Sequence, residues 1–372
     1  MKITCERDKL LAAFQIAAPV APSRSPKPIL QGVKLEASEA GVTLLATDLE
    51  IGIRVAVEGV DVHAPGSVVL PLGRFGMILR ESSDSAIRIE SDDKGTLVRG
   101  ERSEFRLNSE NPAEFPTVAD GAGEKAYHEL PARQLREIIR RTAFATDSES
   151  SRYALGGVLI ELADDKITAV GTDGRRLAKV EGPARAQGGH KTGDQTTIIP
   201  TKAMTLIERS LADNDGEVQL VARPNEVLVK SSRVTIYTRL VEGRFPRWRD
   251  VFPSRTGAQK IECVVGPLLA AVKQAAIVTS DDSRGVDFSF NEGKVLLSGR
   301  SADAGQSRVE FPIAYDGPAI GITLDPRYFA DFLRVLDPAK SFTLELKDAE
   351  SAAVCFTDDG YGYVIMPLAR DR

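Results

Sequence analysis

Residues 153–161, YALGGVLIE, repeat a pattern that also occurs as PILQGVKLE at residues 28–36 and as RGVDFSF at residues 284–290. In each copy a Gly-Val pair opens a strand-like apolar run, and a second apolar run follows and ends in a polar turn. The glycines of these pairs lie 125 and 128 residues apart. Internal similarity at a constant spacing indicates a repeat architecture, so the 372-residue chain is predicted to hold three repeats.

Each repeat divides again, because a short apolar run, a proline and a helical pattern follow one another at Pro71, Pro131, Pro200, Pro267 and Pro326. A sixth unit of this kind, without the proline, begins the chain. Proline suits the first turn of a helix, where its missing N–H has no intrahelical partner to lose. The sequence therefore predicts helices at residues 8–18, 72–80, 131–144, 201–212, 267–278 and 325–336.

The sequence between the helices alternates apolar and polar residues in short runs, as in residues 34–59, and Gly, Asn and Asp turns separate the runs. This pattern predicts an α+β fold of three repeated domains, each with two helices and about eight short antiparallel strands. Residues 117–126 and 253–259 lack apolar periodicity and are predicted to be linkers. The predicted domains are residues 1–124, 126–254 and 258–372.

Charge is unevenly distributed along the chain. There are 48 Lys and Arg residues against 53 Asp and Glu, and a net charge of -5, taken whole, disfavours a nucleic-acid-binding protein. The six helix windows carry +7, however, so the rest of the chain holds -12. If the helices share one side of an assembly, that side is suited to the phosphates of duplex DNA. The candidate DNA-facing residues on the helices are Arg74, Arg80, Arg133, Arg136, Arg140, Arg141, Lys202, Arg209 and Lys273.

Residues typical of catalytic or metal sites are scarce. The three histidines lack metal-ligand spacing and are expected to be solvated: His63, His128 and His190. Asp48 and Asp173 occupy equivalent repeat positions, but the third copy has Ser301, so a turn role is favoured over acid or metal chemistry. We predict no enzyme activity, no metal and no cofactor. Two alternatives stay open: a multi-domain hydrolase that uses these two aspartates, and a monomeric repeat scaffold.

The cellular compartment is predicted from cysteine usage and from the apolar runs. Cys5, Cys263 and Cys355 lie far apart and form no CxxC pair, which favours a reducing compartment over a disulfide framework. No run approaches the roughly 18 apolar residues that a membrane-spanning helix needs. We expect a cytoplasmic protein.

Several motifs of this chain, in order, resemble those of a known family. They are MKITCERDKLL at the N-terminus, KPILQGV, TDLEIGI, RYALGGVLIE at 152–161, AVGTDGRRLA at 169–178, EGRFPRWRDVFP at 242–253 and YVIMPL near the C-terminus. On these residues the whole chain resembles the bacterial beta sliding clamp family, the processivity subunit of DNA polymerase III.

The resemblance implies a head-to-tail homodimer in which six domains form a closed ring around duplex DNA, bound without regard to sequence. It also implies a hydrophobic pocket for short peptides of the polymerase III alpha subunit, the clamp loader, and other polymerases and repair proteins. Neither a cofactor nor a membrane is implied.

Site residues follow from the same resemblance. The pocket would comprise Arg152, Leu155, Thr172, Gly174, Arg175, Arg176, Leu177, Pro246, Val251, Ala353, Met366, Pro367 and Leu368. Arg24 would join the DNA-facing residues. The dimer interface would lie near Arg74 and Met77 in the first domain and near Ile277 and Val278 in the third. In the pocket motifs, Asp250 stands where the family often has a basic residue, and Arg175 replaces a frequent histidine.

Overall fold

The computed structural model describes residues 1–92, 95–147, 149, 154–212, 215–252, 256–280 and 283–369. Its helices are α1 (Arg7–Ala17), α2 (Leu72–Glu81), α3 (Ala132–Thr142), α4 (Thr201–Ser210), α5 (Trp248–Val251), α6 (Val265–Ala275) and α7 (Pro326–Arg334). Six of them confirm the predicted helices close to their predicted bounds, and the four-residue α5 is additional. Among the described residues, no helix has the length and apolar character needed to cross a membrane.

The strands are short, and every strand pairing identified between them is antiparallel. In the first third of the chain they are β1 (Lys2–Glu6), β2 (Gly32–Ser38), β3 (Gly41–Thr47), β4 (Ile51–Val57), β5 (Val60–Ala64), β6 (Gly66–Pro71), β7 (Ala86–Asp92), β8 (Gly95–Arg99) and β9 (Glu104–Leu107). The second third holds β10 (Tyr127–Pro131), β11 (Gly157–Ala163), β12 (Lys166–Thr172), β13 (Arg176–Pro183), β14 (Arg185–Gln187), β15 (Ile198–Pro200), β16 (Glu217–Ala222), β17 (Glu226–Lys230) and β18 (Val234–Arg239). The last third holds β19 (Gln259–Val264), β20 (Val286–Asn291), β21 (Lys294–Ser301), β22 (Gly305–Pro312), β23 (Ile320–Leu324), β24 (Ser341–Leu346), β25 (Ala353–Phe356) and β26 (Gly362–Ile365).

The prolines that predicted the helices lie at the junction of strand and helix. Pro71 and Pro200 are each the last residue of a strand and directly precede α2 and α4. Pro326 is the first residue of α7, where the buried Asp325 side chain caps the helix by accepting the Arg327 N–H at 2.9 Å. Strand and helix are therefore joined without a loop, and this stiff join recurs along the chain.

The repeated Gly-Val pairs begin equivalent strands. Gly32 opens β2, and a Cβ on it would lie 2.5 Å from Val69 Cγ1 on β6. Gly285 directly precedes β20, and a Cβ there would lie 2.8 Å from Thr323 Cγ2 on β23. The glycine is required because the neighbouring strand leaves no room for a side chain.

The chain divides into two compact units, of which the first contains residues 1–136, 162–165 and 184–240. Its sheets have the strand orders β5-β1-β7-β8-β9 and β14-β10-β16-β17-β18-β4-β3-β2-β6. Helices α1 and α2 pack together through Phe14 and Phe75, whose rings meet edge to face with centroids 5.3 Å apart. Leu10 and Leu79 are buried on the same two helices. These apolar faces leave the charged faces of both helices outside the core.

The second unit contains residues 137–161, 166–183 and 241–372. Strands β12, β13, β26, β25, β24 and β19 are neighbours in that order, and a separate sheet has the order β22-β21-β20-β23. An aromatic cluster holds α7 against the first of these sheets. Phe332 stacks on Tyr363 of β26 at 4.9 Å and meets Phe342 of β24 edge to face at 5.2 Å. This packing places α7 behind strands β13 and β26, which carry the candidate site.

Candidate functional site

A pocket of about 600 Å³ opens in the second unit. It is lined by Leu155, Thr172, Gly174, Arg175, Arg176, Leu177, Arg244, Phe245, Pro246, Arg247, Val251, Val364 and Met366. Nine of these were predicted as pocket residues: Leu155, Thr172, Gly174, Arg175, Arg176, Leu177, Pro246, Val251 and Met366. Arg152 lies outside the described residues. Of the others predicted, Ala353, Pro367 and Leu368 are not among the lining residues in the described part of the chain.

One wall of the pocket is the turn between β12 and β13. Asp173 Oδ1 accepts the backbone N–H groups of Arg175 at 2.9 Å and Arg176 at 3.0 Å, and Thr172 Oγ1 accepts that of Gly174 at 3.1 Å. Gly174 has a φ of 85°, a left-handed conformation that glycine adopts without a steric cost. The TDGRR sequence is therefore an Asx turn that holds both arginines in place before any ligand arrives.

Arg176 is fully engaged inside the second unit. Its guanidinium donates to Asp173 Oδ2 at 3.0 Å, to Asp331 Oδ2 of α7 at 2.7 Å and to the Phe144 carbonyl at 2.8 Å. The group also lies 4.4 Å from the centre of the Tyr328 ring. Since its donors face protein groups, Arg176 builds the pocket wall.

A second part of the pocket lining is the RFPRWRDV segment, which ends in α5. Arg249 forms a two-point ion pair with Glu161 of β11, at 3.0 and 2.7 Å, and the indole N–H of Trp248 lies 3.4 Å from the same carboxylate. The Arg249 guanidinium also stacks on the Trp248 ring at 4.2 Å. Glu161 hydrogen bonds raise the pKa of Arg249. A single carboxylate therefore anchors the short helix that presents Arg247 and Val251 to the pocket.

The floor of the pocket is apolar. Leu155, Leu177 and Val364 are buried, whereas Val251 is 39% and Met366 46% exposed. Met366 is held by its N–H, which donates to the Arg175 carbonyl at 2.9 Å. Two exposed apolar side chains above a buried aliphatic floor form a surface suited to the apolar anchors of a peptide.

The structure also explains which pocket residues the sequence interpretation missed or included without support. Val364 of β26 lies two residues before Met366, which directly follows the strand, so the alternation of side chains along an extended segment could have identified Val364 from Met366. Arg244 and Arg247 flank Pro246 in the same motif. By contrast, the Leu368 N–H bonds to the Thr323 carbonyl at 2.9 Å, which attaches the residue to β23.

The rim of the pocket is cationic. Arg175, Arg244 and Arg247 are exposed, and no Asp or Glu is among the pocket-lining residues in the ranges described. Arg175 forms a side-chain hydrogen bond with Tyr328, and this bond raises the pKa of the Arg175 guanidinium. Arg247 Nε lies 3.2 Å from Asp250 Oδ2, and the two side chains are 92% and 63% exposed.

The predicted DNA-facing residues differ in their exposure. Eight are exposed: Arg24, Arg74, Arg80, Arg133, Arg140, Lys202, Arg209 and Lys273. Lys202 Nζ pairs with Asp48 at 2.6 Å. Arg136 donates to the Ala212 carbonyl at 2.9 Å, and the side chain of Arg141, only 11% exposed, pairs with Glu137 and Asp359. Arg136 and Arg141 are therefore engaged in internal contacts.

Two exposed apolar sites lie where the interface residues were predicted. In the first unit, a groove of about 510 Å³ is lined by Arg74, Met77 and Phe105 among others, and Met77 is 54% exposed. Phe105 lies on β9, an edge strand of its sheet. In the second unit, Ile277 is 78% exposed, and β22 is an edge strand. Met77 and Ile277 are thus exposed at the surface of their units.

Asp48 and Asp173 both serve turns. Asp48 Oδ1 accepts the N–H groups of Glu50 at 3.0 Å and Ile51 at 2.7 Å, as Asp173 does at the equivalent positions. Across the described ranges, no three His, Cys, Asp or Glu side chains are grouped so that they could hold a metal ion. The hydrolase alternative is not supported.

The prediction that the histidines are solvated is wrong for two of them. His128 and His190 are buried, and their Nδ1 atoms lie 2.8 Å apart. His128 Nε2 must donate to the Asp164 carbonyl at 2.9 Å, while His190 Nε2 accepts the Ala222 N–H at 3.1 Å. His190 Nδ1–H therefore donates to His128 Nδ1, and each ring is neutral in one tautomer.

Comparison with known proteins shows the family to which the three domains of this chain are similar. Models of the DNA polymerase III beta subunit match residues 1–119 (N-terminal domain), 129–247 (central domain) and 249–369 (C-terminal domain). A beta sliding clamp of Chlamydia pneumoniae is 30% identical over 371 residues, which cover 99% of each chain.

Solved structures of sliding clamps have the same fold. The DNA polymerase sliding clamp of Bacillus subtilis superposes with a TM-score of 0.92 at 25% identity, covering 100% of this chain and 99% of the other. The Pseudomonas aeruginosa DNA polymerase III subunit beta, solved bound to griselimycin, has a TM-score of 0.90 at 28% identity and full coverage of both chains. The chain therefore belongs to the beta sliding clamp family of DNA polymerase III beta subunits.

Proposed function

We propose that this chain is a DNA sliding clamp: two copies close head to tail into a ring around duplex DNA, and the ring tethers a DNA polymerase. The peptide pocket of the second unit carries the proposal. Its apolar floor and fixed arginine wall would receive short peptides of the polymerase III alpha subunit, the clamp loader, and other polymerases and repair proteins.

Retention on DNA would be topological. The chain has a net charge of -5, so strong binding to DNA from solution is not expected. The eight exposed basic residues described above would contact phosphates only, which gives no sequence preference and permits sliding. No catalytic step is part of this function.

The ring would be closed by two unlike surfaces. The Met77 and Phe105 groove of one copy would meet the Ile277 and Val278 region of the other, beside edge strands β9 and β22. Such a head-to-tail contact can close into a ring, and antiparallel pairing of two sheet edges would satisfy their backbone groups.

We further propose that the chain is divided into three domains, with bounds of 1–124, 126–254 and 258–372.

Two exposed methionines allow the two surfaces to be tested separately. Met366→Asp should abolish binding of a labelled peptide that carries neighbouring Leu and Phe, while the protein keeps twice the mass of one chain in solution. Met77→Asp should give a single-chain mass and leave peptide binding unchanged. Peptide binding by Met366→Asp at the wild-type affinity would refute the pocket assignment. A wild-type protein with the mass of one chain would instead favour the monomeric scaffold.

A further inference from the structure

We propose that the first unit holds a second, closed copy of the peptide pocket at the turn between β3 and β4, and that the ring of Tyr237 closes it by taking the place of a ligand's apolar anchor. Each chain then has one open peptide site and one that its own side chain fills. The inference rests on the proposed function, because it assumes that the pocket of the second unit binds peptides.

The turn between β3 and β4 has the same hydrogen bonds as the pocket turn between β12 and β13. Thr47 Oγ1 donates to the Ile51 carbonyl at 2.8 Å and accepts the Leu49 N–H at 3.0 Å. Thr172 Oγ1 makes the same two bonds in the pocket turn, donating at 2.6 Å and accepting at 3.1 Å. The aspartates that follow these threonines also accept equivalent N–H groups. TDLEI and TDGRR are therefore repeat-related turns with one geometry.

The strand after each turn also has an equivalent neighbour. Strand β4 pairs with β18, and beyond that pairing the Arg239 N–H donates to the Glu50 carbonyl at 2.9 Å. Strand β13 pairs with β26, and the Met366 N–H donates to the Arg175 carbonyl at the same place and distance. The Phe-Pro pair that lines the pocket recurs at residues 115–116. The first unit therefore repeats the framework of the pocket.

The two sites differ in one pair of facing residues. Leu177 and Val364 face each other across β13 and β26 and belong to the pocket floor. Gly52 and Tyr237 hold these positions across β4 and β18. A Cβ on Gly52 would lie 2.7 Å from Tyr237 Cδ1 and 3.0 Å from Val118 Cγ1. The ring therefore lies against Gly52 and beside the segment after the Phe-Pro pair, where the second unit has its open pocket.

Tyr237 makes the contacts that an apolar anchor would make. Its half-buried side chain packs against a buried cluster that contains Phe115 and Val118. An aromatic ring in this position covers apolar surface as a peptide Phe or Leu would cover the floor of the open pocket. The ring can approach the strand so closely because Gly52 has no side chain.

The rim of the closed site is less suited to a peptide than the rim of the open one. Glu50 and Arg239 stand where the pocket has Arg175 and Met366, and they form an exposed ion pair at 3.8 Å. An apolar rim contact is thereby replaced by a charged side chain, although Leu49 nearby is 37% exposed. An opened site should therefore bind the same peptides more weakly.

Three variants separate the ring from the framework. Tyr237→Val introduces the residue type of Val364 and should open the site, whereas Tyr237→Phe keeps the ring and should leave the site closed. Gly52→Leu combined with Tyr237→Val restores the complete pair of floor residues, in case the space left by the ring collapses. Gly52 does not have a positive φ, so its backbone accepts a side chain once the ring is removed.

The experiment measures binding of a labelled peptide with neighbouring Leu and Phe to the full-length protein, in a Met366→Asp background that disables the open pocket. Fluorescence anisotropy should show no binding by Met366→Asp alone or together with Tyr237→Phe. Adding Tyr237→Val instead should restore binding, about tenfold weaker than that of the wild type. Without Met366→Asp, titration calorimetry should show a second, weaker peptide per chain in Tyr237→Val and not in the wild type. Circular dichroism checks that each variant is folded.

The outcomes separate this inference from the proposed function. Binding that returns with Tyr237→Val but not with Tyr237→Phe supports closure by the ring. If neither Tyr237→Val nor its combination with Gly52→Leu restores binding in folded Met366→Asp protein, the inference is overturned while the open pocket stands. If Tyr237→Phe restores binding as well, the ring does not close the site and the inference is also overturned. If the wild type binds no peptide, the proposed function fails and the inference fails with it.

Discussion

Arginines in the pocket have two physical roles that their spacing in the sequence does not separate. Arg175 and Arg176 are adjacent, yet Arg175 is exposed at the rim and Arg176 is held by two carboxylates, a carbonyl and an aromatic ring. The partner Asp331 lies 155 residues away on α7. The motif therefore predicted both arginines as pocket residues, but the engagement of Arg176 depends on a contact that only the folded chain creates.

Arg176→Ala is expected to destabilise the protein because it leaves Asp173 without this cation and Asp331 with only Arg334 as its ion-pair partner. Removing one partner of a buried ion pair costs about 3–5 kcal/mol. Since Asp331 is partly exposed and keeps its ion pair with Arg334, we expect a loss of at most about 3 kcal/mol in the free energy of unfolding. Urea denaturation would measure it. Arg244→Ala, at an exposed rim arginine, should change the stability by at most about 0.5 kcal/mol, and equal losses in both variants would contradict these roles.

The His128–His190 pair predicts a pH dependence of stability. Burial lowers the pKa of both rings below the ordinary value of 6.5, so the unfolded chain binds more protons than the folded protein as the pH falls. Nearby acids oppose this shift: Asp165 acts on His128, and Glu124, itself paired with Arg223, acts on His190. The stability that the neutral pair provides is therefore present above pH 6.5 and is lost as the pH drops toward the lowered values.

We expect the free energy of unfolding to fall more steeply in the wild type than in a His128→Leu, His190→Leu double variant between about pH 7.5 and about pH 5.5. The contribution is at most about 1.4 kcal/mol per histidine for each pH unit. Urea denaturation at several pH values would measure the free energy of unfolding of each protein. His63→Gln is the control, because His63 is exposed and bonds only to Thr4 among its described side-chain partners. Parallel pH profiles for the wild type and the double variant would refute the account.

At the scale of elements, most of the fold follows from local sequence. A proline after an apolar run marked five helix starts, and alternation marked the strands, because both signals depend on neighbouring residues. Helix α5 was missed because four residues are too few to show a helical period. It is held by Glu161, a residue of β11 distant in sequence, so no local pattern reports it.

The anchoring of α5 can be followed with Trp248, the single tryptophan of the chain. Glu161→Gln removes the ion pair with Arg249 and should release the helix. We expect the emission of Trp248, which is 7% exposed, to shift to the red and peptide affinity to fall about three- to tenfold. Asp250→Asn, on the same helix but outside this contact, should leave the emission unchanged. A red shift without any loss of peptide affinity would show that α5 does not position the pocket.

At the scale of the whole molecule, the three family domains were predicted because the repeat spacing divides the chain length evenly. The ring remains a proposal. In the proposed ring, a second copy would bury two exposed apolar surfaces, around Met77 in the first unit and Ile277 in the second. The repeat spacing describes one chain and does not report which surfaces of two copies meet, so the assembly must be tested in solution.

The most direct test of encirclement is retention of the protein on circular DNA before and after both strands of the circle are cut. The protein is first loaded onto nicked circular DNA by a clamp loader, and the complex is isolated by gel filtration. Because retention would be topological, the account predicts that the protein stays with the circle and is lost within minutes of a single double-strand cut. Equal retention on circular and linear DNA would contradict it.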